Sequence, residues 1–136
     1  MTPPLRTPPL SRTLLTGLIG GVIAAVINTV IYFTAQGLNG GPLLVTPPGA
    51  TAPQPLALPI LLFASVMPGL AGGALYWLLG RFTAQPERWL LMISAVVLVG
   101  FAFTPISGAS GAVAVWTLEL LHLSTAAPIL WLLLRR

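Results

Sequence analysis

The sequence predicts an all-α protein, a four-helix transmembrane bundle with both termini cytoplasmic, and three observations carry that reading. Of 136 residues, 56% are hydrophobic and only 6% charged, against roughly 25% charged residues in a soluble domain. Four apolar stretches each reach about the 17 to 25 residues that a helix needs to cross the hydrocarbon core. All six arginines fall outside those stretches, and there is no Lys and no Asp. Such scarcity of charge excludes a soluble monomer. It also excludes a disordered chain, which is poor in apolar residues and rich in charge.

Residues 1–13 read as a Pro-rich cytoplasmic tail, in which Thr2-Pro3-Pro4-Leu5-Arg6 is followed by Thr7-Pro8-Pro9-Leu10-Ser11-Arg12. Paired prolines favour extended polyproline II. Residues 14–136 then form a single membrane domain with spans at about 14–35, 56–79, 89–106 and 112–134. Span one outlasts the apolar core of a signal peptide, and Thr34-Ala35-Gln36 is a poor cleavage site, so it is read as an uncleaved anchor. Gly17 and Gly21 in span one, and Gly69 and Gly73 in span two, have the small-xxx-small spacing that lets helix backbones approach closely. They point to a close antiparallel contact between the first two spans, with an inter-subunit contact as the competing use.

The connection from Gly37 to Pro55 holds four Gly and five Pro in nineteen residues and no charge. That composition opposes helix and long strand, and its Pro42-Leu43-Leu44-Val45 segment suits an ordered cap over the bundle mouth. Pro68 and Pro128 lie inside spans two and four, where each removes a backbone donor. Span three is the shortest run, cut short by Thr104, Pro105, Ser107 and Gly108.

Orientation follows from the arginines. Arg6 and Arg12 precede span one, Arg81 and Arg88 lie between spans two and three, and Arg135 and Arg136 follow span four, while the other two connections carry no charge. The positive-inside rule therefore places both termini and the middle loop in the cytoplasm. Trp77, Trp89 and Trp131 fall near the same interface, where an indole N–H meets headgroups while its ring stays apolar. The expected location is the inner (plasma) membrane, as a multi-pass protein.

Glu119 and His122 are the sharpest chemical features. Counted from Val113 they lie about 9 Å and about 14 Å deep at 1.5 Å per residue, and their i, i+3 spacing places them on one face of span four. A carboxylate at that depth is expensive, usually faces the bundle interior and pairs with another group. Asn28 and Tyr32 on span one are the candidate partners, so that Glu119, His122, Asn28 and Tyr32 form a candidate intramembrane polar site, either a structural tie or a proton or ligand relay. Glu-x-x-His is also half of a dimetal carboxylate site, but the chain has only Glu87 to add, on the other side of the membrane. No metal is expected. Haem or chlorophyll on His122 is disfavoured because Leu118, four residues earlier, would crowd the macrocycle, and no cofactor is expected. No catalytic residues are expected either: without Asp there is no Ser–His–Asp set, and no glycine loop is followed by Lys. The absence of Cys removes thiol chemistry. Arginines scattered over three segments offer no clustered basic face, which argues against nucleic acid.

Met67-Pro68-Gly69-Leu70-Ala71-Gly72, an aromatic run ending at Arg81, Arg88-Trp89 opening a span that closes at Pro105, and Leu120-Leu121-His122-Leu123 together resemble a family of small four-span bacterial membrane proteins of unknown function. The resemblance covers about residues 60 to 134. It implies a four-helix bundle in a bacterial inner membrane and no activity. The expected role is non-enzymatic, an accessory or structural subunit or assembly factor of a larger membrane complex. Its partners would be the lipid bilayer and other membrane subunits or a homo-oligomer. The alternative is an intramembrane small-ligand or proton-coupled carrier using Glu119 and His122.

Overall fold

A computed structural model describes residues 8–47 and 49–135; the proline repeat as far as Thr7, Arg6 within it, and Arg136 lie outside the described residues. Helix α1 runs Leu10–Asn39, a short hairpin follows with β1 at Leu44–Val45 and β2 at Gln54–Pro55, and then come α2 at Leu58–Phe82, α3 at Pro86–Ala102, α4 at Thr104–Gly108 and α5 at Ala112–Leu134. Four segments are long and apolar enough to cross a membrane, with α3 and α4 together making the third. The protein is a multi-pass membrane protein.

Proline and glycine set the helix limits. The extended backbone of Pro9 precedes α1, which starts four residues ahead of the apolar run because Ser11 and Arg12 are compatible with helix. At the other end Gly40 takes a left-handed φ of 68°. Its N–H bonds the Gly37 carbonyl while that of Gly41 bonds Gln36, a double closure that satisfies the last carbonyls of the helix. At 30 residues, α1 is about 45 Å long and overruns a hydrocarbon core of about 30 Å. The third span breaks at Phe103. Pro105 has no N–H for the Phe101 carbonyl, and the Thr104 hydroxyl supplies the missing donor at 2.8 Å.

Helix α1 packs along both α2 and α5, whereas α3 is peripheral. The α1/α2 contact is backbone on backbone: a Cβ on Gly17 or Gly69 would overlap the carbonyl oxygen of the other, and one on Gly73 would overlap that of Thr13. Gly21 lies against the backbone of Val66, a little less closely, and on a neighbouring stripe Gly20 meets the backbone of Ile129 in α5. This pairing runs the two helices antiparallel. Arg12, Arg81, Arg88 and Arg135 consequently share one end of the bundle, where Tyr76, Leu90, Ile129 and Leu133 form a buried apolar cluster. The Tyr76 hydroxyl donates to Glu87 Oε1 at 2.7 Å, tying the end of α2 to the start of α3. Arg81 lies 4.1 Å over the Trp77 ring and Arg135 4.4 Å over Trp131, which holds each guanidinium beside an aromatic anchor.

At the opposite end the Pro- and Gly-rich connection is an ordered cap. Leu44 pairs with Pro55 and Val45 with Gln54. The loop before α5 joins the same small sheet, with the Thr46 N–H bonding Gly108 at 2.6 Å and the Ser110 N–H bonding Leu44 at 3.1 Å. Leu43, only 1% exposed, drops from the cap into a cluster with Tyr32, Ala35, Leu61, Ala114 and Leu121.

Candidate functional site

Between the two apolar clusters lies a polar node on α1. Asn28 is 1% exposed, and its amide reaches two neighbouring helices. Nδ2 donates to Ser65 Oγ in α2 at 2.8 Å and to Thr125 Oγ1 in α5 at 2.7 Å, while Ser124 Oγ donates to Oδ1. The hydroxyls that receive the amide protons pass their own to the helix backbone, Ser65 to Leu61 and Thr125 to Leu121. Both amide protons are used and the oxygen is engaged, as a buried polar group requires. The node is a closed clamp joining α1, α2 and α5.

Tyr32, one turn along α1, is also committed. Its hydroxyl donates to the Leu56 carbonyl at 2.7 Å, just where the cap returns to α2. Asn28 and Tyr32 thus bond to the α2/α5 hydroxyls and to the cap, and neither bonds to Glu119 or His122.

Those two residues sit elsewhere on α5. The inward positions of α5 are Ala114, Thr117, Leu121, Ser124, Thr125, Ile129 and Leu133; at 100° per residue Glu119 falls more than about 100° round from the four beside the Asn28 node, Thr117, Leu121, Ser124 and Thr125, while His122 lies between the two sides and turns toward α3. The structure keeps Glu119 and His122 adjacent, close enough to interact electrostatically. No hydrogen bond joins them. The His122 ring packs on Phe101 of α3 with centroids 5.4 Å apart, and its buried Nδ1 has no hydrogen-bond partner among the described residues. Both side chains are half-buried. Helix α3, which lies on this side, is the least buried of the four spans: 11% of its apolar 18-residue stretch is buried inside the protein against 33% of that in α1.

A separate apolar groove of about 460 Å³ runs between the cap-side halves of α1 and α5, lined by Val30, Thr34, Leu38, Val113, Trp116 and Leu120 among others. Among the described residues, no three His, Asp or Glu side chains gather where they could hold a metal ion. Ser65, Ser124 and Thr125 are the site residues that the sequence reading passes over. Their one signal was position, as small hydroxyls in the middle of spans, at the depth of Asn28.

No curated protein and no solved structure matches the chain. A family model described as a family of unknown function matches residues 8–136, which takes in all four spans and the cap. The chain belongs to that family of unknown function, DUF6069.

Proposed function

We propose that this protein is a non-enzymatic accessory subunit or assembly factor of a larger complex in a bacterial inner membrane, with both termini cytoplasmic. One observation carries the reading: the polar groups inside the α1/α2/α5 core are consumed by one another, whereas Glu119 and His122 stand at bilayer depth on the α3/α5 side. Ionisable groups inside a membrane persist where they pair or act. A rigid core presenting one incompletely satisfied polar position suits a docking part. The cytoplasmic assignment is supported by the gathering of the described arginines at one end. The test is native-gel migration and crosslinking after extraction in mild detergent. Migration in an assembly larger than the protein itself supports the reading, and recovery as a lone monomer under all such conditions refutes it.

A carrier of a small protonatable ligand is the second reading, favoured by the unpartnered Nδ1 of His122 beside Glu119. It predicts that Glu119→Gln abolishes transport or ligand-induced thermal stabilisation. An unchanged response in that variant removes it.

A further inference from the structure

Resting on the subunit reading, we propose that the α3/α5 face receives a transmembrane helix of another protein, and that this helix places a Lys or Arg side chain against Glu119. Glu119 has His122 as its electrostatic neighbour and no hydrogen bond among the described residues. The polar side chains of the core offer it nothing, being spent elsewhere: Asn28 on Ser65, Ser124 and Thr125, and Tyr32 on Leu56. A carboxyl group at this depth gains most from an opposite charge, because hydrocarbon neither solvates nor screens it.

The surroundings suit a helix. Glu119 lies at the edge of the outward face of α5, beside Trp116, 74% exposed, and Leu123, 57% exposed. Ala126 and Ala127 follow about two turns after Glu119, and small residues allow a second backbone to approach. A second copy of this chain is the weaker occupant on charge grounds. None of the four spans holds an Arg or Lys away from the ends, so a copy in the same orientation brings Glu119 and His122 to the same depth and no fixed cation. Charge complementarity therefore favours a different chain with a basic residue about 10 Å below the outer end of its span, the depth of Glu119 from Ala112.

The experiment reconstitutes the full chain in phosphatidylcholine vesicles with a synthetic Leu-rich transmembrane peptide bearing one Lys at that depth, or Leu in its place. Because the chain has no Cys, a single Cys at Ala84 carries the fluorophore for energy transfer. The expected result is association with the Lys peptide about tenfold tighter than with the Leu peptide. That preference is lost in Glu119→Gln and kept in Thr34→Val, which lies in the α1/α5 groove. Glu119→Lys should reverse it, preferring a peptide with Glu, which separates pairing from any loss of fold. Equal binding of the two peptides to the unaltered chain overturns the proposal, as does self-association of labelled copies that Glu119→Gln abolishes. A large native assembly combined with no Lys preference sinks this inference alone, while a lone monomer in native extracts sinks the subunit reading with it.

Discussion

Gly17 and Gly69 meet backbone to backbone, each occupying the place where a side chain on the other would have to go. In lipid no hydrophobic force drives helices together, so close van der Waals packing must hold α1 against α2. Gly17→Ala or Gly69→Ala should therefore force the helices apart and cost about 1 to 3 kcal/mol, the usual range for overpacking. Gly37→Ala is the control, since a Cβ there meets nothing within 4 Å. Reversible unfolding in mixed detergent micelles measures all three, and equal stability of Gly17→Ala and Gly37→Ala would show that the contact is looser than described.

The Asn28 clamp makes a different prediction. Asn28→Leu removes three interhelical hydrogen bonds and strands none of the donors of Ser65 and Thr125, which already bond their own helix. Asn28→Asp keeps the shape but removes the two N–H donors. Since interhelical hydrogen bonds in membranes average about 0.6 kcal/mol each, Asn28→Leu should cost about 1 to 2 kcal/mol by the same unfolding measurement. Asn28→Asp should cost more, because it sets a carboxyl group against hydroxyl oxygens whose protons are spent. The reverse order would mean that the node does not depend on the amide's donors.

Tyr32 couples the bundle to its cap. Tyr32→Phe leaves the ring in place and removes the donor to the Leu56 carbonyl, a loss of about 1 kcal/mol. The effect should be local, appearing as faster amide exchange at Leu56 and Thr46, whose N–H groups bond Leu43 and Gly108. Leu43→Ala, which empties a fully buried site, should cost about 2 to 5 kcal/mol and loosen the same amides further. Exchange unchanged by either substitution would show that the cap holds without the bundle.

The four spans were legible because apolar length is a strong and nearly unambiguous signal in a chain with so few charges. The partners of Asn28 were not. A Ser or Thr in a membrane helix satisfies itself on the preceding turn, as Thr16 does with Arg12 and Thr29 with Ala25, so its presence says nothing about a neighbour. The pairing of Glu119 with His122 on one helix face could be read from their spacing, but not where that face points. Helix α5 is apolar nearly all round, and the small hydroxyls on its inner side, Thr117, Ser124 and Thr125, are less polar than the Glu119 and His122 that lie off it. The cap was foreshadowed by its uncharged Pro-rich composition, whereas its bridge to Ala109 joins segments more than sixty residues apart that no local pattern connects.

The arginines also set the orientation of the bundle in the membrane. Arg12, Arg81, Arg88 and Arg135 lie at one end of the bundle, and two of them are stacked on tryptophans that suit the headgroup region. The cap end has no charged residue from Gly37 to Pro55. Moving an arginine cluster across the membrane works against the bias that sets topology, whereas an uncharged segment crosses at little cost. A reporter active only in the cytoplasm should therefore work at Ala84 and fail at Ala50, and one active only outside should do the opposite. If both positions report the same side, α2 does not cross the membrane. If the signals are exchanged, the arginines face outward and the cap becomes a cytoplasmic surface.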